Sequence, residues 1–169
     1  MKDKGIKSTE IDFKEIKKKS GYPSKERLLK GPVVVIECPE EIPCNPCETV
    51  CPKNVIVVGN PITNIPVFDE ENCDGCGHCI PICPGLAIFL INNAYSEDKA
   101  TIGIPYEMIP LPVKGEIVDA LDRNGNIVCD GEIIRIQNPK SANNTAIITF
   151  AIPKKYSELV RNFKLKKRS

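Results

Sequence analysis

Residues 73–84 read Cys73-Asp74-Gly75-Cys76-Gly77-His78-Cys79-Ile80-Pro81-Ile82-Cys83-Pro84. Cysteines spaced Cys-x2-Cys-x2-Cys put three thiolates on one tight loop, enough for three corners of an iron–sulfur cubane. A fourth cysteine ahead of proline is turned away and serves a second cluster. An upstream copy is therefore expected, and Cys44-x2-Cys47-x3-Cys51-Pro52 supplies it. The offsets 44→76, 47→79 and 51→83 are all 32 residues. A regular copy would place cysteine at position 41, which holds Glu41; Cys38 reads as the displaced first ligand, with Pro39 to Pro43 as an enlarged loop.

The repeat extends past cysteine, since Val50-Cys51-Pro52-Lys53-Asn54-Val55-Ile56 parallels Ile82-Cys83-Pro84-Gly85-Leu86-Ala87-Ile88. This pseudo-twofold resembles the layout of the bacterial two-cluster ferredoxins. The resemblance implies crossed ligation: Cys38, Cys44, Cys47 and Cys83 for one 4Fe–4S cluster, Cys73, Cys76, Cys79 and Cys51 for the other. The competing reading is two tetrahedral zinc ions, but zinc needs neither a third cysteine two residues on nor a Cys-Pro partner from the other copy. The Cys-x3-Cys-x2-Cys spacing of radical S-adenosylmethionine enzymes is absent. His78 reads as an exposed loop residue and Cys129, the ninth cysteine, as a small buried hydrophobe.

The rest of the chain bounds the function. The longest apolar run, Leu86 to Ile91, is far short of a bilayer span. The opening MKDKGIKSTEIDFKE has no apolar h-region, so no signal peptide is expected, and nine cysteines then point to metal in a reducing cytoplasm rather than to disulfides. The net charge of +1 divides into +5 over residues 1–30, −10 over 31–153 and +6 over 154–169. The acidic middle argues against a nucleic-acid groove. Eight acidic groups against Lys53 in 31–92 favour low cluster potentials, tempered by screening. A single histidine and the lack of a phosphate loop or complete dinucleotide fingerprint leave no catalytic machinery, so flavin or substrate would sit on another chain.

The expected fold class is α+β: a basic arm (1–30), a ferredoxin-like two-cluster domain (31–92), a small antiparallel β-barrel (100–153) and a basic C-terminal helix (154–169). Ser24 caps a short helix through Lys30. Val33 to Ile36, Ile56 to Val58, Val67-Phe68 and Leu86 to Ile91 read as strands. Asn92 to Lys99 reads as a linker. Asn124-Gly125 and Asp130-Gly131 read as turns between further strands, the first with positive φ at both central residues. Tyr156, Leu159, Val160 and Phe163 fall at helical spacing.

Gly31-Pro32 through Cys38, Glu41 to Glu48, and the tail from Leu111-Pro112-Val113-Lys114-Gly115 to Ile152-Pro153-Lys154 carry a more particular resemblance. They are similar to the small ferredoxin-like subunit of flavin-dependent amine and amino-acid dehydrogenases of the proline, hydroxyproline and sarcosine type. That resemblance implies an electron-transfer subunit, itself non-catalytic, holding two 4Fe–4S clusters in a hetero-oligomer whose partner subunits carry FAD or FMN. The alternatives are a free-standing soluble carrier and an iron–sulfur regulatory or nucleic-acid-binding module; the expected barrel lacks the interleaved aromatic and basic residues of a single-strand groove.

Overall fold

A computed structural model describes residues 13–18, 21–138 and 144–166. The expectations for residues 1–12, 19–20, 139–143 and 167–169 lie outside the described residues. Helix α1 (Phe13–Lys18) precedes α2 (Lys25–Leu28), whose first turn is capped as expected: Ser24 Oγ accepts from Arg27 N at 3.1 Å. Four β-branched residues then form β1 (Val33–Ile36), buried on both faces. The cysteine-rich stretch folds as α3 (Pro46–Val50), a hairpin of β2 (Ile56–Val57) and β3 (Val67–Phe68), α4 (Cys79–Ile82) and β4 (Ile88–Asn92).

Five more strands follow: β5 (Lys99–Tyr106), β6 (Ile117–Leu121), β7 (Ile127–Gln137), β8 (Ala146–Pro153) and β9 (Asn162–Leu165). They join β1 and β4 in one antiparallel sheet of order β1-β4-β5-β8-β7-β6-β9. The stretch from Asn92 to Lys99, expected as a linker, is the connection of the β4–β5 hairpin; Ser96 Oγ accepts from Lys99 N at 3.0 Å. The two cysteine-rich copies therefore rest on the same sheet as the C-terminal strands. The sheet is open, in contrast to the expected barrel. A closed barrel would join β5 to β6, but β4 occupies the free side of β5 and β9 that of β6.

The C-terminal helix is corrected as well. Residues Lys154–Tyr156 form a single 3-10 turn and Asn162–Leu165 are strand β9, paired to β6 with Phe163 opposite Ala120. Phe163 satisfies a period of two as well as a period of 3.6, because Asn162 and Lys164 on either side face solvent. Its ring stacks on Tyr106 at 5.0 Å and meets Phe150 edge-on at 5.4 Å. Leu159, which a helical face would bury, is exposed.

Asp130-Gly131 is not a turn. Strand β7 runs straight through it, with Gly131 opposite Val118. A Cβ at Gly131 would lie 3.0 Å from the Phe150 ring, so glycine is there for close packing. The turn at 122–126 is real, but of the three-to-five-residue kind: Gly125 has φ 83° and Asn124 is not in the left-handed region. Asp122 Oδ1 accepts from the amides of Asn124 and Asn126, both at 2.9 Å, and organises the loop.

Candidate metal centres

The 32-residue echo is geometric as well as sequential. Helices α3 and α4 each end on a Cys-Pro: Cys51 at φ −71°, ψ 110°, and Cys83 at φ −74°, ψ 111°. Each cysteine amide donates back into its helix, Cys51 N to Glu48 O and Cys83 N to Ile80 O. Three residues on, Asn54 N and Leu86 N donate to the Cys51 and Cys83 carbonyls, both at 3.1 Å. Asn54 and Leu86 also share a left-handed backbone, φ 54° and 50°. A cysteine that terminates a helix and turns extended points away from the helix's own loop.

Two concavities lie between these copies. Cys38, Cys44, Cys47 and Cys83 wall the first, with Ile36, Pro46, Pro66, Pro84 and Ile88. Cys51, Cys73, Cys76 and Cys79 wall the second, with Val34, Val55, Ile56, Lys53 and Asp74. Each copy thus contributes its Cys-Pro cysteine to the other copy's concavity, and Cys38 joins the first set despite its longer loop. Among the described residues, no three His, Cys, Asp or Glu side chains gather as they would on one metal ion. The eight cysteines are instead spread around two hollows.

The walls suit a sulfur-ligated cluster. Both hollows are lined by branched aliphatics and by four thiols each, the soft ligand that iron–sulfur groups take; the second also has Asp74 and Lys53 in its wall. Ala87 N–H points at Cys83 Sγ, 3.4 Å away. The loop of the second set is drawn tightly against β1: Gly75 has φ 68°, and a Cβ there would stand 2.7 Å from the Pro32 carbonyl oxygen. Cys76 N donates to Asp74 Oδ1 at 3.1 Å, which holds that carboxyl below its ordinary value. The buried Arg27 braces the same loop from α2; Nη2 donates to the Cys73 carbonyl at 2.6 Å and Nε to the Glu70 carbonyl at 2.7 Å.

Burial pushes the Cys38, Cys44 and Cys76 thiols up, Cys47 to about 11, and Cys79 further still. Repulsion between neighbouring thiolates adds to this. Cys83 acts on Cys38, Cys44 and Cys47, whereas Cys51, Cys73 and Cys76 act on Cys79, so mutual influence divides along the same two sets. Without metal, Cys38, Cys44, Cys47, Cys76 and Cys79 stay protonated near neutral pH, and loading must displace their protons.

His78 is exposed at the start of α4 and lines neither hollow. Cys129 sits half-buried on β7, also away from both. Sequence reasoning did not anticipate Arg27, or that Lys53 and Asp74 line only the second hollow. The signals were present: Lys53 stands where the other copy has Gly85, and Arg27 is a cation three residues past a helix cap, on the side that packs. Glu37, beside Cys38, was also missed. Its buried carboxylate receives Arg123 through Nη2 and through Nε at 2.8 Å, and Arg161 Nε at 2.7 Å.

Eight thiols thus stand in two crossed sets on a duplicated scaffold. Residues 42–87 match the family of the 4Fe-4S dicluster domain. Subunit VorC of a ketoisovalerate oxidoreductase from Methanothermobacter marburgensis is 30% identical over 64 residues, covering 36% of this chain and 81% of the relative. An uncharacterized ferredoxin of Methanocaldococcus jannaschii is 34% identical over 87 residues, 51% of this chain and 52% of the relative. Protein Pixie of Drosophila melanogaster is 27% identical over 128 residues, 70% of this chain but 20% of that protein. The chain thus spans a fifth of the fly protein and about half of the ferredoxin. No solved structure matches at a comparable level. The chain belongs to the ferredoxin-type iron–sulfur proteins. No helix among the described residues is long and apolar enough to cross a membrane.

Proposed function

We propose that this chain is an electron-transfer subunit relaying single electrons through two 4Fe–4S clusters within a cytoplasmic, multi-subunit flavin-dependent oxidoreductase, an amino-acid or amine dehydrogenase being the preferred setting. Its ligands are Cys38, Cys44, Cys47 and Cys83 for one cluster and Cys51, Cys73, Cys76 and Cys79 for the other. The observation that carries the reading is the sorting of all eight into two hollows in the crossed pattern. When bound, each cluster supplies one-electron storage at a potential set by charge, burial and hydrogen bonds to sulfur. The chain's own residues hold the thiols apart, exclude water with Val34, Ile36, Ile56 and Ile88, and cross-link the two copies.

Membership of a complex is supported by the oxidoreductase subunit among the relatives. The flavin setting rests on the resemblance of 31–48 and 111–154 to the small dehydrogenase subunits. Isolation of the tagged chain from its own cells without oxygen tests both. Co-purification with a flavin-containing subunit is the expected result. A brown chain that elutes alone supports the free-carrier reading instead, and retention on heparin that weakens with salt, without any flavoprotein, supports a nucleic-acid module.

A further inference from the structure

The two hollows are alike in thiols but not in charge. The Cys38 hollow has no charged residue in its lining. The Cys51 hollow has Lys53 and Asp74, whose charges offset each other. Behind it stands Arg27, only 6% exposed. Its guanidinium meets four carbonyl oxygens: Cys73, Glu70, Pro32 at 3.1 Å and Gly31 at 3.4 Å. Among the described residues it forms no ion pair with a carboxylate, and the Glu70 carboxylate is turned to Ser24 N at 2.5 Å. On the Cys38 side, Arg123 and Arg161 are both bound to Glu37, the residue before Cys38, and Glu40 and Glu41 lie exposed in the loop after it. A charge that is buried and held by carbonyl dipoles alone is weakly screened, so its field reaches its neighbours.

Resting on the two-cluster reading above, we propose that Arg27 is the potential-setting residue of the Cys51–Cys73–Cys76–Cys79 cluster, and that its buried charge makes this cluster the first of the two to be reduced. One electron from a low-potential donor enters, with no bond made or broken, and the extra negative charge is stabilised by the guanidinium hydrogen-bonded to the Cys73 carbonyl. The chain then has a polarity: electrons collect at the Cys51 set and pass the Cys38 set at higher energy. Arg27 is a positioning residue as well, since it ties α2 to the Cys73 loop.

The test is a redox titration of the purified full chain followed by electron paramagnetic resonance, with iron counted in every sample. Cys44→Ala retains the Cys51 set and Cys76→Ala the Cys38 set; the cluster left in Cys44→Ala is expected to have the more positive midpoint. Arg27→Gln should shift the oxidised-to-reduced ratio of the Cys51-set cluster by about tenfold toward oxidised, equivalent to about 59 mV for one electron. The other cluster should stay in place, and Arg27→Lys should keep most of the native value. A merely structural role would lower iron content without moving one midpoint selectively. Should Arg27→Gln fail to hold iron, the native protein still decides. The gap between its two midpoints should persist at about 1 M salt, where exposed charges are screened within about 3 Å. Equal midpoints, the reverse order, a gap that collapses with salt, or a loaded Arg27→Gln with both midpoints unchanged overturns the proposal. Absence of any cluster signal in the native chain would instead refute the two-cluster reading itself.

Discussion

Replacing Gly75 by alanine probes how the second thiol loop is held. Gly75 sits at φ 68°, and its Cβ would meet the Pro32 carbonyl oxygen at 2.7 Å and the Pro32 Cβ at 2.8 Å. Neither neighbour is the free end of a flexible side chain. Pro32 leads directly into the buried strand β1, and its carbonyl also accepts from Arg27. The left-handed backbone costs an ordinary residue about 1–2 kcal/mol, and forcing a methyl into a packed site costs about 1–3 kcal/mol more. The sum, about 2–5 kcal/mol, is a large part of a small domain's stability. Relief requires the Cys73–Cys76 loop to lift from β1, which displaces two of the four thiols of one set. Gly75→Ala is therefore expected to lose about half its iron and to unfold at lower denaturant, measured anaerobically. Gly85 is the control: it is not in the left-handed region and a Cβ there meets nothing within 4 Å. Full iron and an unchanged midpoint in Gly75→Ala, or equal damage in Gly85→Ala, would refute the reasoning.

Other expectations follow from the same structure. Cys44→Ala should lose one cluster and Cys129→Ala none; equal iron loss in the two contradicts the ligand sets. Burial pushes Glu37 up, but the hydrogen bonds and charges of Arg123 and Arg161 outweigh it, so its carboxyl lies below the ordinary 4.5. Its contribution to stability is thus present above the unfolded value near 4.5 and fades as pH falls through the lower folded value. Glu37→Gln, which takes the carboxylate from buried Arg161 and half-buried Arg123, should cost about 3–5 kcal/mol near neutral pH in denaturant titrations and flatten the acid limb. Because burial holds Cys38, Cys44, Cys47, Cys76 and Cys79 protonated, cluster reconstitution should release protons and become more complete from about pH 6 to about pH 8, read by pH-stat and iron content. Phe163→Ala removes the ring that joins Tyr106 and Phe150 and should cost about 3–5 kcal/mol by thermal or denaturant unfolding.

The cysteine-rich half was legible because its information is local. Metal-ligand spacing fixes which thiols share a loop, and a 32-residue offset common to three of the four cysteines carries that geometry to the second copy. Strands β1, β2, β3 and β4 fall where β-branched runs stand between turn residues. The second half is decided by distant partners. Phe163 is a strand residue because the edge of β6 is free to pair, which no local period reveals. Gly131 mimics a turn residue, yet it is required by a ring 19 positions away in sequence, Phe150. The barrel expectation failed for a related reason: antiparallel strands and tight turns leave closure undetermined, and β4 and β9 take the sides that closure would need. Arg27 and Glu37 escaped notice because a charged residue in a basic or acidic stretch looks solvated until its burial is seen.

The most direct test of the two-cluster account is the metal and sulfide content of the intact chain prepared without oxygen. About eight irons and about eight acid-labile sulfides per chain, with a brown colour bleached by reductant, are the predicted result. Colourless protein, or protein carrying two zinc ions and no sulfide, would contradict it.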